Sequence, residues 1–311
     1  MNTREKILEF LMDGKRTQRE ISLSLGSSRS RISEILSDLE NVGLIRREKV
    51  SDRTVLVSIN REKVLRVGML KSSEYAAVVL ALKRVEKAVM VRIRLYDNSL
   101  EALKDLLTGS LDLVASPLIS SYFFYLIDNN IKPISGISKG GSGMLMRNNE
   151  GLLGTTPISS MERESRERKN FRLVYYKSIE DMLDAYSKKE VDAISIWEPY
   201  LSMFKGVKNP IEKGCCVLIN SGGLTESVRT FFREYKKIIP RMNSGKLRIE
   251  ASEILSELLH VKVRDVLTSL DSYIFTTEID KDDLREQIKM MGLPEDSNVD
   301  KFLERYYGIS I

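Results

Sequence analysis

Apolar residues recur at helical spacing early in the chain and at strand spacing soon after. Ile7, Leu8 and Leu11, with Phe10 beside them, give one apolar face to a helix over about 3–12, which Gly14 stops. Thr17 and Glu20 then have the T-x-x-E spacing of a capping box, in which the hydroxyl serves a free helical N–H and the glutamate reaches back to the cap. Behind it, Ile21, Leu23 and Leu25 alternate with serines, which is the period of a strand. The capping box and the closing Gly26 tip that segment to a short helix. Ser28 is placed to cap a third helix over about 29–41, with Ile32, Ile35, Leu36, Leu39 and Val42 on one side. Residues 44–50 and 55–59 read as the strands of a hairpin across Ser51, Asp52, Arg53 and Thr54.

From about residue 63 the pattern becomes strand, helix, strand, helix, which predicts an α/β sheet. Strands are expected at 64–70, 89–96, 111–115 and 133–137. Helices are expected at 74–87, at 100–107 and through Tyr122 to Tyr125. The alternation then repeats, with strands at 151–155, 171–176 and 191–196 and helices from about 158 and over 179–189. A returning strand at 215–219, a long helix at 224–239 and a further helix at 280–291 follow.

Several of these strands end in small polar residues at a helix start: Ser72 and Ser73, Asn98 and Ser99, Ser116, Thr155 and Thr156. In open α/β sheets the carboxyl edge of the strands is where ligands bind. Free N–H groups and the helix dipole favour an anionic or zwitterionic group there. Each hydroxyl alone is an ordinary helix cap; repeated on successive loops facing one crevice, they read as a site. Trp197, the only tryptophan, follows a strand at that edge, where it can stack on a ring or close over an alkyl chain. Core packing is its plain alternative. Glu198 suits an amine or ring N–H, or is a solvated charge. Gly140 and Gly141, in the stretch 139–143, are either an anion cradle or a flexible turn.

With 311 residues the chain has room for two or three domains, and 42% hydrophobic with 30% charged residues is a globular balance. No apolar run approaches the roughly 20 residues of a membrane helix. No basic-then-apolar leader opens the chain, so a cytoplasmic protein is expected. A net charge of +5 permits nucleic-acid binding without establishing it. His260 is the only histidine, so any Ser-His-Asp triad or multi-histidine metal site must pass through it. No catalytic residue, metal or cofactor is expected. Cys215 and Cys216 are adjacent; on a strand they point to opposite faces, as small buried apolar residues rather than a disulfide.

A short helix, a tight turn, a longer helix opening with arginines and a hairpin is the order that presents one helix to the major groove of DNA. TQREISLSLG, SSRSRISEILSDLENVGLI and the hairpin resemble the winged helix-turn-helix family of prokaryotic transcription regulators. Ser30, Ser33, Glu34 and Ser37 face away from the apolar side, flanked by Arg29 and Arg31, and with the capping Ser28 they are the candidate DNA contacts. Arg47 and Lys49 lie along the wing, with Arg53 at its tip. The head has about as many acids as bases, so few phosphate contacts and a homodimer on a two-fold operator are expected.

The body segments VGMLKSSEYAAVVLALKR, SLEALKDLLTGSLDLVASP and YKSIEDMLDAYSKKEVDAISIWEPY, with the tail from LTESVRTFFREY, resemble the type-2 periplasmic-binding-protein fold. The likeness is to its sulfonate, nitrate and pyrimidine-precursor branch. The resemblance implies a second domain over 63–311, following a head over 1–60. One lobe would be 63–147 with 220–311 and the other 150–213, hinged near 147–150 and 217–221, with a ligand clamped between. A DNA-reading head where an export signal would sit argues against transport. The expectation is a ligand-responsive DNA-binding transcription regulator, not an enzyme. The alternatives are a synthase of the pyrimidine-precursor type, which relies on a cysteine and histidine cluster missing here, and a binding module whose head contacts protein.

Overall fold

The computed structural model describes residues 2–51, 54–204, 208–211, 213–292 and 297–307. Local capping chemistry sets the head. Helix Thr3–Met12 begins at Asn2, whose side chain accepts from the Glu5 N–H while the Glu5 carboxylate accepts from the Asn2 N–H. Thr17 and Glu20 make the same reciprocal pair at helix Gln18–Leu25, which ends at Gly26 with φ 59°. The strand-like alternation there is overridden because Ile21 is buried and Leu25, one turn on, packs half-buried against the same core, while Leu23 is 72% exposed. Helix Arg29–Asn41 starts where Ser28 Oγ accepts from the Arg31 N–H, and it buries Ile32, Leu36 and Leu39. Val42, expected on that face, is the C-cap and is exposed. Strands Ile45–Ser51 and Thr54–Ile59 form an antiparallel wing, to which Arg16–Thr17 adds a short third strand.

No linker separates head from body. One 3-10 turn, Arg61–Lys63, joins the wing to the body strand Val64–Leu70. Val64 and Met90 of the body are buried in the head's own core with Ile7, Leu11 and Ile45. Ser227 Oγ donates to the Val64 carbonyl, and Arg92 lies 3.6 Å from Glu9. A shared core of this kind makes the head a rigid extension of the first body sheet.

The body holds two five-stranded sheets of matching order. In the first, Met90–Tyr96, Val64–Leu70 and Leu113–Pro117 run parallel. Cys216–Ser221 then inserts antiparallel, and Ile131–Gly136 closes the edge. In the second, Phe171–Tyr175, Gly151–Thr155 and Ala193–Trp197 run parallel, Ser142–Met146 inserts antiparallel, and Lys208–Ile211 closes the edge. Helices cover both sheets. Glu226–Asn243 packs Phe231 and Tyr235 into the same core as the apolar helix Ala76–Val85. No helix among the described residues is long and apolar enough to cross a membrane.

The crossings between sheets differ from the expected hinge. Ser142–Met146, expected in the first lobe, belongs to the second sheet, so the chain crosses at 137–141 and returns between Ile211 and Cys216. Residues 147–150 instead turn within the second sheet, where the Arg147 N–H donates to the Asp192 carbonyl and Asn148 donates to its carboxylate. Residues 217–221 are paired strand. The glycine-rich stretch 139–143 is likewise not a loop: it contributes to two strands, Ser138–Gly140 and Ser142–Met146. Its glycines hide the strand period because they carry no side chain to alternate.

Candidate functional site

The carboxyl ends of the parallel strands in both sheets meet at one cleft, the expected place for a ligand in such sheets. Leu70, Asp97, Asn98, Ser99 and Pro117 line it from the first sheet, and Thr156, Pro157 and Trp197 from the second. Gly140, Gly141, Cys215 and Cys216 also line it, at the two crossings. The cleft has a volume of about 40 Å³, room for little more than a few waters, so the lobes stand nearly shut. Several bonds hold them so. Lys71 Nζ lies 2.6 Å from Asp97 and 2.7 Å from Glu180 of the other lobe. Burial alone would lower the Lys71 ammonium; the hydrogen bonds to Asp97 and Glu180 outweigh it and raise the pKa. Trp197 Nε1 donates to the Lys71 carbonyl at 2.7 Å, and the Ser73 N–H donates to the Glu198 carbonyl at 3.0 Å.

The cleft gathers seven of the residues read as ligand-binding: Ser72, Asn98, Ser99, Gly140, Gly141, Thr156 and Trp197. Ser73, Ser116, Thr155 and Glu198 do not line it. Ser73 Oγ accepts from Ser269 Oγ, and Ser116 Oγ bonds Ser121 Oγ at 2.7 Å. Thr155 Oγ1 is buried without a partner. The Glu198 carboxylate accepts from the Ser202 N–H and hydroxyl. At the ends of these strands neighbouring side chains point opposite ways, so Pro117, Thr156 and Trp197 face the cleft while Ser116, Thr155 and Glu198 face away. The capping role also holds: Asn98 Oδ1 accepts from the Glu101 N–H and Ser72 Oγ from the Glu74 N–H. Gly140 and Gly141 have φ of 82° and 74°, and a Cβ on Gly141 would lie 1.8 Å from the Tyr273 ring. Close packing, rather than flexibility, requires glycine there.

Sequence reasoning missed Glu74, Tyr75, Met161 and the two cysteines as cleft residues. Cys215 precedes the strand that Cys216 begins, so the two thiols do not diverge; their sulfurs are 3.3 Å apart and both residues face the cleft. Burial raises the Cys216 thiol well above its ordinary value. Glu74, Cys215 and Cys216 place one donor atom each within 4.8 Å of the others, a set that could hold a metal ion only after the Cys216 proton is displaced. Glu74 reads in the sequence as an acidic residue at a helix start, and it is one, but its carboxyl is buried and accepts from Ser138 Oγ at 3.1 Å. Burial pushes it up to about 7, against the opposing hydrogen bonds from Cys216 and Ser138.

The raised pKa has a sign. The neutral acid contributes stability that is full below the ordinary value of 4.5 and is lost as the pH rises through about 7. Glu74→Gln is expected to flatten that dependence by on the order of 3 kcal/mol, measured by urea unfolding of both chains between about pH 4.5 and pH 8.

In the head, Ser28, Arg29, Ser30, Arg31 and Glu34 form an exposed face at the start of helix Arg29–Asn41. Ser33 and Ser37 are half-buried. Ser37 Oγ donates to the Ser33 carbonyl and accepts from Arg47 at 3.2 Å, and Arg47 lies 3.2 Å from Glu40. Ser37 and Arg47 thus strap the wing to the helix. Lys49 is exposed on the wing strand, and Arg53 lies outside the described residues.

Residues 2–47 match the family model described as a bacterial regulatory protein of the arsR family. No curated protein sequence matches the chain. Among solved structures, the chain is similar to the zinc-bound ligand-binding component of an ABC-type import system from Staphylococcus aureus. The TM-score is 0.65 at 16% identity, over 78% of this chain and 99% of that one. It is similar to the periplasmic nitrate-binding protein NrtA from Synechocystis, with TM-score 0.63 and 11% identity over 80% of this chain and 89% of that one. It also resembles the alkanesulfonate-binding protein SsuA from Xanthomonas axonopodis, bound to MOPS, with TM-score 0.58 and 13% identity over 75% of this chain and 95% of that one. The chain therefore joins an N-terminal helix-turn-helix that matches the arsR-family model over residues 2–47 to a two-lobed fold similar to that of periplasmic binding proteins.

Proposed function

We propose that this chain is a ligand-responsive transcription regulator. Residues 1–60 hold a double-stranded DNA operator, and 63–311 hold a small-molecule effector between the lobes. The observation that carries the reading is a nearly shut, mixed polar and aromatic cleft in a body that shares a core with the helix-turn-helix head. The regulator acts in the cytoplasm as a homodimer. Two heads supply the phosphate contacts that one near-neutral head lacks.

The shared core limits how a signal travels. The head moves with the first sheet, so effector binding changes the position of the second lobe against both, and through it the spacing of the two heads. Such coupling requires that the effector bind the DNA-competent and incompetent states with different affinity. A synthase is the weaker reading, because His260 caps helix Arg248–Leu259 in the left-handed conformation and does not line the cleft. The test begins with a metabolite panel in thermal shift: a binder at 100 times its dissociation constant adds about 2.7 kcal/mol. Such a compound is expected to change the chain's affinity for DNA upstream of its own gene. No binding to that DNA, with or without the compound, would favour a head that contacts protein.

A further inference from the structure

The charges of the cleft run against the anion that helix starts alone would favour. Its charged lining residues are Glu74 and Asp97, and no lysine, arginine or histidine among the described residues lines it. The Lys71 ammonium, next to the lining Leu70 and Ser72, is held by Asp97 and Glu180. Three of the helix starts around the cleft are capped by side chains, while helix Leu118–Ile127, after the lining Pro117, has no side-chain cap. Ser72, Asn98 and Ser159 cap the N–H groups of Glu74, Glu101 and Glu162, and Glu162 itself accepts from the Ile158 N–H at 2.6 Å.

Glu74 is 5% exposed yet belongs to the cleft lining. A carboxylate accepts at up to about four positions, and Ser138 and Cys216 are the hydrogen-bonding partners found around it. Tyr75, Cys215, Cys216 and Tyr273 are the titratable groups nearby, and none of them brings a positive charge. Across the same space stands Trp197, its indole fixed by the bond to Lys71. A narrow slot with an aromatic wall accepts a flat body; a buried carboxyl without a cation asks for a donor.

We infer that the effector is a small flat molecule presenting an N–H donor, as an amine, amidinium or ring N–H, to Glu74, and that it is not an anion. This rests on the cleft being the effector site.

Four probes of one shape separate the outcomes: benzamidine, benzamide, benzoate and benzenesulfonate, each added at millimolar concentration to the full chain. Melting temperature and Trp197 fluorescence are read together. Benzamidine and benzamide are expected to raise the melting temperature and alter the fluorescence, and the two anions to do neither. Glu74→Gln should weaken benzamidine at least about tenfold while changing benzamide by less than about threefold. If that variant does not fold, the order of probes on the unaltered chain decides. An anion that binds as well as benzamidine and perturbs Trp197 overturns the donor assignment while leaving the cleft as the effector site. Stabilisation without any Trp197 response overturns both, and silence from all four probes overturns the assignment.

Discussion

The full chain with Arg29 and Arg31 both replaced by alanine is expected to bind its operator about 100-fold more weakly at fixed salt. Both side chains are exposed in the first turn of helix Arg29–Asn41, beyond the Ser28 cap. Unlike Arg47, which Glu40 and Ser37 hold, neither is paired with a carboxylate among the described residues. A phosphate or base contact from such a guanidinium is worth about 1–3 kcal/mol, so losing two gives about 2–6 kcal/mol. The slope of affinity against salt should fall by about 2, since each phosphate contact contributes about 0.9. Fluorescence anisotropy with labelled upstream DNA at several salt concentrations measures both. An unchanged affinity and slope would mean that another surface meets the DNA. Stability and effector binding should not change, because both arginines lie in the head, away from the cleft.

Asp283→Ala is expected to cost about 1.5–3 kcal/mol of folding stability, the usual worth of a hydrogen bond to a charged group when the arginine keeps a second carboxylate partner. Arg163, in helix Ser160–Arg166 of the second lobe, is 1% exposed and donates to Asp283 and to Glu164. Asp283 sits in helix Lys281–Met290 and also accepts from Gln287 at 2.6 Å. Burial raises the Asp283 carboxyl, while Arg163 pulls it back toward the ionised form. Leu284 and Ile288 of the same helix pack into a core built from the first sheet and its helices, so this ion pair ties one lobe to the other. With Arg163 held by Glu164 alone, the variant's lobes are expected to part more readily, which a larger radius of gyration in X-ray scattering would register. Urea unfolding measures the cost; a loss below about 1 kcal/mol would mean that water reaches Arg163 and that the pair does not hold the lobes together.

The head was legible almost to the residue because its signals are local. Thr17, Gly26 and Ser28 each act within one helical turn of where they stand. The alternation of the two sheets was equally plain, since apolar runs and small polar strand ends lie side by side in the chain. The crossings were not. Ser142–Met146 becomes a strand by pairing with Ala193–Trp197, far along the sequence, and Gly143 gives it no side chain to show the alternation. In the cleft, small polar residues marked the right strand ends, but which neighbour faces inward depends on the phase of each strand, and that separates Thr156 from Thr155 and Trp197 from Glu198. Glu74 stayed hidden because an acid at a helix start is ordinary; only the packing of Tyr75, Ser138 and Cys216 around it shows that it is buried.

The most direct measurement is of coupling in both directions. Affinity for upstream DNA is determined with and without a compound that alters Trp197 fluorescence, and affinity for the compound is determined with and without DNA. A regulator of this kind gives the same factor both ways, about 5- to 150-fold, corresponding to 1–3 kcal/mol. A compound that fills the cleft and leaves DNA affinity unchanged would contradict it.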